Sequence, residues 1–167
     1  METLGRKYRI RTIAYWMITL LVAYEMAAGS IWDLLRIEYV RGVMAHLAYP
    51  QYFLTIIGVW KLPCAAVLLL PSFPRVKEWA YAGAFFNYSG ASASHLLFGD
   101  GPSKWVGPLI FAAFTVASWA LRPPARRLAP THPDTQVRAV EWVVPALTVI
   151  ALVVLSLLTL PKGPPPP

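Results

Sequence analysis

Five long apolar runs constrain this chain more than any other feature of its sequence. They extend over residues 10–28, 52–70, 79–98, 106–121 and 140–160. A helix needs about 20 residues to cross the hydrocarbon core of a bilayer. Hydrophobic residues make up 57% of the chain and charged residues only 14%, which is too few charges to cover the surface of a soluble domain. The sequence therefore predicts an all-α, multi-pass protein of the cell membrane.

The runs predict a four-helix transmembrane bundle with an additional C-terminal transmembrane helix. The predicted parts are a membrane domain at 1–123, a basic and proline-rich linker at 124–139, and the fifth helix with its tail at 140–167. Within residues 31–47, apolar residues recur at helical spacing and charged residues such as Asp33 and Arg36 fall between them. This pattern is typical of an amphipathic helix, here expected in the outer interface.

The distribution of Lys and Arg predicts the orientation. Ten of these residues lie on the side of the N-terminus and four on the opposite side, which favours a cytoplasmic N-terminus and an outer C-terminus. The first run, with its basic leader, is also compatible with a secretory signal peptide. Its length, and the presence of Glu25 in its last turn, favour an uncleaved helix.

Glu25 and Lys61 are the charges deepest within the apolar runs. A charge in hydrocarbon is costly, so each is expected to have a partner or a water-filled cavity. Helical side chains lean toward the N-terminus of their own helix, and these two helices run in opposite directions, so the two side chains lean toward each other. The sequence predicts that they pair, either to lock two helices together or to line a proton or ligand site.

The third run carries the other polar residues. Gly83, Asn87, Gly90 and Ser94 form one helical face of small or polar side chains, which predicts a close packing seam against neighbouring helices. His95 lies near the outer end of the same run. We therefore predict that any ligand site lies in the outer half of the bundle, between the four residues Glu25, Lys61, Asn87 and His95.

Several classes of chemistry lack support in the sequence. The single cysteine, Cys64, excludes a dithiol within one chain. No Ser-His-Asp or Cys-His arrangement, phosphate loop or dinucleotide fingerprint occurs, so no catalytic residue is assigned. No nucleic-acid motif occurs either, and the partner expected for this chain is the lipid bilayer. Metal binding is not predicted, because no second His, Cys or carboxylate stands at ligand spacing from His95.

A series of short motifs resembles the DoxX-like family of small membrane proteins. The motifs lie, in the order usual in the family, at residues 49–54, 58–62, 71–83, 90–91, 94–95, 99–100, 108–109 and 118–123. The resemblance covers about residues 10–123 and implies a four-helix membrane bundle there. The fifth run departs from the short members, and Pro63-Cys64 stand where Gly-Ala is commoner.

The resemblance also implies a functional context, since some relatives are subunits of quinone-linked or other membrane oxidoreductase complexes. We therefore expect an accessory subunit of a membrane redox assembly, with quinone as its ligand and a redox protein or a second copy as its partner. Two alternatives remain: a small transporter or ligand-binding protein that uses the same polar cluster, and a scaffold whose polar residues only fix packing.

Overall fold

The described part of the chain is helical, as predicted. The computed structural model describes residues 2–71 and 73–128 and, beyond them, residues 143, 147–148, 150–154 and 158. The helices are α1 (Glu2–Leu35), α2 (Glu38–His46), α3 (Tyr52–Leu69), α4 (Pro74–Phe98) and α5 (Pro102–Leu121), followed by a 3₁₀ turn at Pro124–Arg126. No β-strand occurs among the described residues.

Three of these helices are long and apolar enough to cross a membrane. They are the part of α1 from Gly5 to Leu35, then α3, and then α5. The helix α4, with 25 residues, has the length to cross but a more polar composition. The predicted fifth span falls mostly outside the described residues, although those described there are helical. The four-plus-one arrangement therefore stays a prediction, and residues 129–167 form a unit separate from residues 1–128.

The four long helices form an antiparallel bundle. The helix α1 packs against α3 and α5, and α4 packs against α5 and α3. We call the end at which α1 and α4 finish the distal end, and the end at which α3 and α5 finish the proximal end. The core between them is mainly aliphatic, with Met26, Leu68 and Ala84 fully enclosed and Tyr88 buried beside them. The core thus holds one ring of four helices together.

The first helix is longer than the sequence predicted. It continues through residues 29–35, of which residues 31–35 were predicted to belong to an interfacial helix, because its buried stripe continues. That stripe comprises Tyr15, Thr19, Val22, Met26, Ser30 and Asp33. The helix ends where Arg36 adopts a left-handed conformation and the Ile37 N–H bonds the Trp32 carbonyl at 3.2 Å. Only α2 remains of the predicted amphipathic segment, with Val40 as its buried residue.

The predicted packing seam on α4 is wrong. A Cβ atom added to Gly83 or Gly90 would meet nothing within 4 Å, and both glycines are exposed. The adjacent stripe is the buried one, and it includes Ala84, Tyr88 and His95. The aromatic ring of Tyr88 stacks on Phe111 of α5 with centroids 5.3 Å apart. The small-residue face of α4 therefore points away from the bundle core.

Basic side chains cap the C-terminal end of α3. The Lys77 ammonium donates to the carbonyls of Val67, at 2.7 Å, and Leu70. The Arg126 guanidinium donates to the carbonyl of Leu69 at 3.0 Å and to that of Leu68 at 3.2 Å. The last carbonyls of a helix have no partner within it, and cations there also interact favourably with the helix dipole. These contacts tie the start of α4 and the turn after α5 to the end of α3.

Candidate ligand-binding site

A buried ion pair joins α1 and α3 toward the distal end. The Lys61 ammonium donates to Oδ2 of Asp33 at 2.9 Å, and the two side chains are only 13% and 5% exposed. One turn earlier on α1, the Ser30 hydroxyl donates to the carbonyl of Gly58 at 2.7 Å. The close contact requires Gly58, because a Cβ there would lie 2.9 Å from the Leu34 side chain. The backbones approach closely at this level, which holds the carboxylate and the ammonium together.

Glu25 does not take the partner that the sequence predicted. Its Oε2 accepts a hydrogen bond from the Tyr88 hydroxyl, so it links α1 to α4. Its other oxygen still lies near Lys61: Oε1 of Glu25 and Nζ of Lys61 stand 3.3 and 3.2 Å from the point where a Cβ on Gly29 would lie. The prediction of a direct Glu25–Lys61 pair was wrong, because Asp33 occupies that place. The two charges nevertheless belong to one polar cluster.

This polar cluster borders a cavity between α3 and α4. The cavity has a volume of about 360 Å³. Its apolar walls come from both helices and from α1, and they include Met26, Trp60, Pro63, Cys64, Val67, Val76, Trp79, Ala80 and Ala84. Its polar side chains are Lys61 and Asn87. Among the described residues, the half-buried Asn87 amide has no hydrogen-bond partner. The cavity thus combines apolar walls with two hydrogen-bond donors, as small-molecule sites do.

The fourth predicted site residue lies elsewhere. His95 does not line the cavity, and it follows Asn87 on α4 by eight residues, or about 12 Å along the helix axis. Its Nδ1 lies 2.7 Å from Oδ2 of Asp100, and Nε2 of His46 lies 2.8 Å from Oδ1 of the same carboxylate. The hydrogen bonds from His95 and His46 hold the pKa of the Asp100 carboxyl below its usual range. The predicted site is therefore divided into a cavity and a separate distal cluster.

Sequence reasoning missed three residues. Asp33 was placed on the polar face of an interfacial helix, yet it stands in register with the buried stripe of α1, and this register was the available signal. No sequence pattern assigns a role to His46 or Asp100. Metal binding near His95 is not predicted from ligand spacing along the sequence, whereas the fold brings both residues close to His95. No local pattern signals a contact between residues 54 positions apart.

These features define a class of protein. Long apolar helices in an antiparallel ring, with a buried polar cluster between them and an apolar cavity beside it, are the architecture of a polytopic membrane protein. The chain belongs to the DoxX-like family, whose family model matches residues 17–118. The matched range includes the ion pair, the cavity and the distal cluster. No curated protein and no solved structure matches the chain.

Proposed function

We propose that this DoxX-like protein binds the headgroup of a membrane quinone in the α3–α4 cavity and serves as an accessory subunit of a membrane redox assembly. The observation that carries the proposal is that Lys61 and Asn87 face one cavity whose walls are otherwise apolar. A quinone headgroup is a flat ring with two carbonyl acceptors. The Lys61 ammonium has three N–H donors, one of which bonds Asp33 at 2.9 Å. The Asn87 amide has two further N–H donors.

The location of the cavity suits a ligand that arrives through the lipid. Trp60 and Trp79, which line it, are 72% and 75% exposed, so the cavity borders the outer surface of the bundle. A volume of about 360 Å³ is at the small end of the range for ligand pockets and fits a headgroup rather than a whole isoprenoid chain. The chain of a quinone would then remain in the bilayer.

The content of the described site supports an accessory role. Its single thiol, Cys64, donates to the Ala80 carbonyl at 3.3 Å, and one thiol cannot form a dithiol couple within the chain. In this proposal a partner protein supplies the electrons for a bound quinone. The contribution of this chain is to hold the headgroup and exclude water from it.

The test uses two glycines on the same face of α4 as a matched pair. Gly83 lines the cavity, whereas Gly90, two turns further along, does not, and neither has an atom within 4 Å of its Cβ position. Protein in lipid nanodiscs is titrated with a short-chain quinone while its tryptophan fluorescence is recorded. We expect saturable quenching, because Trp60 and Trp79 adjoin the site. Gly83→Leu should abolish the saturable component by filling the cavity, and Gly90→Leu should preserve it.

A second pair tests the polar contact. Asn87→Leu removes a donor from the cavity, whereas Ser89→Ala removes a hydroxyl that bonds the Phe85 carbonyl within α4 at 2.7 Å. We expect only Asn87→Leu to weaken quinone binding, by about tenfold, as for the loss of one hydrogen bond of about 1.4 kcal/mol. Equal quenching of Gly83→Leu, Gly90→Leu and the wild type would show that the quinone partitions into lipid without a site, and would refute the proposal.

A further inference from the structure

Three side chains meet at the distal end of the bundle, outside the cavity. They are His46 at the end of α2, His95 at the end of α4, and Asp100 in the turn that follows α4. Nε2 of His46 lies 2.8 and 3.0 Å from the two carboxylate oxygens of Asp100, and Nδ1 of His95 lies 2.7 Å from Oδ2. The three ligand atoms all lie within 4.8 Å of one another. Two imidazoles and one carboxylate therefore converge on one point.

The fold sets this arrangement through the end of α4. Gly99 adopts a left-handed conformation with φ of 89°, and its N–H bonds the Leu96 carbonyl at 3.2 Å. The N–H of Asp100 bonds the His95 carbonyl at 3.0 Å. These two bonds are the Schellman motif, which reverses the chain at a helix end. The motif places the Asp100 carboxylate beside the His95 imidazole by backbone geometry alone.

The third residue is supplied by α2, which ends in the same way. Ala48 has φ of 57°, and the Tyr49 N–H bonds the Met44 carbonyl at 2.9 Å, so the chain turns sharply after His46. The His46 ring packs on Phe98 with centroids 4.6 Å apart. This contact orients the imidazole toward Asp100. Each of the three side chains thus has a separate structural reason to point at the cluster.

We propose that His46, His95 and Asp100 form a zinc-binding site at the distal end of this protein. Zn²⁺ prefers imidazole nitrogen and carboxylate oxygen, and open zinc sites use three such protein ligands with a fourth position for water or another molecule. The His95 and Asp100 side chains are 11% and 13% exposed, whereas His46 is 47% exposed, which leaves one side of the cluster accessible from solution. The site therefore has two mostly buried ligands and an open fourth coordination position.

Zinc binding would displace the ring protons of His46 and His95 that face Asp100. An ionised carboxylate only accepts hydrogen bonds, so the two ring nitrogens that face Asp100 carry protons in the metal-free protein. On binding, each ring must vacate that nitrogen: a neutral imidazole moves its proton to its other ring nitrogen, whereas an imidazolium releases one proton to solvent and keeps the other. The two imidazole nitrogens now lie 2.7 to 3.0 Å from the carboxylate oxygens of Asp100. Ligand atoms of a tetrahedral zinc ion with bonds of about 2.0 Å stand roughly 3.3 Å apart, so the carboxylate must move away from both rings to admit the ion.

The test uses the full chain without a polyhistidine tag, in detergent, with Zn²⁺ alone as the titrant and calorimetry as the readout. Co²⁺ absorption reports the coordination geometry in parallel. We expect a saturable heat of binding that corresponds to one ion per chain. His46→Gln, on an exposed side chain, and Asp100→Asn should each weaken binding by at least about tenfold. The chain has three histidines, so His132→Gln is the matched control and should bind as the wild type does.

The outcomes separate a metal site from a purely structural contact. If Zn²⁺ in large excess gives no saturable binding to the wild type, the cluster is only a hydrogen-bonded link between α2 and α4, and the proposal is wrong. Equal affinities in the wild type, His46→Gln and Asp100→Asn would place the ion elsewhere and also overturn it. Should Asp100→Asn not fold, His46→Gln decides, with size-exclusion chromatography confirming that it is folded.

Discussion

Breaking the Asp33–Lys61 pair should destabilise the bundle more than any other single change to its membrane-embedded polar groups. At 2.9 Å and an effective dielectric constant of about 20, Coulomb's law gives a gross attraction of about 6 kcal/mol. Desolvation of both groups offsets much of this energy. Lys61→Met, however, leaves a carboxylate that is 5% exposed without its counter-ion, and such a loss costs about 3–5 kcal/mol.

The partner variant should cost less. Asp33→Asn keeps the side-chain shape and leaves the Lys61 ammonium beside Oε1 of Glu25, so we expect a loss of about 1–3 kcal/mol. The double variant Asp33→Asn/Lys61→Met carries no charge at either position. Its loss in the free energy of unfolding should be about 2–3 kcal/mol smaller than the sum of the two single losses.

The assay is equilibrium unfolding of the four proteins in mixed micelles, with the free energy of unfolding as the measured quantity. A parallel cycle with Glu25→Gln and Lys61→Met serves as the control. Its coupling should be below about 1 kcal/mol, because Glu25 is engaged by Tyr88. A Glu25 coupling larger than the Asp33 coupling would show that the partner assignment is wrong, and additive losses in both cycles would refute an interacting pair altogether.

Four further outcomes are expected. Gly90→Leu should elute as a monodisperse species with a free energy of unfolding unchanged or up to about 1 kcal/mol higher, because the site is open and leucine favours the helix more than glycine; aggregation would indicate a packed face. Ala48→Gly should raise the free energy of unfolding by about 0.5–1 kcal/mol, since glycine adopts the left-handed conformation without strain, and a lower value would contradict this. Tyr88→Phe should cost about 1.5–3 kcal/mol, because Glu25 loses its donor, as thermal unfolding in detergent can measure; an unchanged melting temperature would mean that the bond contributes nothing. Reporter fusions should place the N-terminus in the cytoplasm, and an active periplasmic reporter there would reverse the orientation.

The helix positions could largely be read from the sequence. In lipid every backbone polar group must be satisfied internally, so a long apolar run has to be helical. The predicted ends at Phe98 and Leu121 agree with the observed ends of α4 and α5, and the start at Tyr52 agrees with α3. The end of α1 was missed by seven residues, because hydropathy falls where Asp33 enters a buried ion pair. A charge that is neutralised by tertiary structure has the same hydropathy as one in water.

The face by which α4 packs could not be read in the same way. Its small-residue stripe and the neighbouring stripe that contains Tyr88 are both compatible with helix packing in a membrane. No hydrophobic driving force separates them there, because lipid is as apolar as the protein core. The Tyr88 hydrogen bond to Glu25 and its stacking on Phe111 decide between the stripes, and both depend on other helices.

The positions of the predicted site residues could be read only in part, and their role in ligand binding stays a prediction. Lys61 and Asn87 do share a cavity, because their depths in the membrane follow from helix geometry alone. The position of His95 at the distal end was also correctly read. Its separation from the cavity, and its contact with His46, depend on where the short helix α2 lies, which no periodicity in the sequence indicates.

The capping of α3 by basic residues limits how the orientation of this protein can be engineered. Lys77 and Arg126 count toward the predicted charge asymmetry, yet both donate to carbonyls at the end of α3 in the folded bundle. Exchanging them to invert the protein would remove a topological signal and a folding contact together. Arg6, Lys7 and Arg75 are exposed and have no such contact among the described residues, so exchanging them is expected to change the orientation signal without removing a contact of the folded bundle. In the predicted orientation, the cations at the end of α3 therefore act twice, as a topology signal during insertion and as helix-capping contacts in the folded bundle.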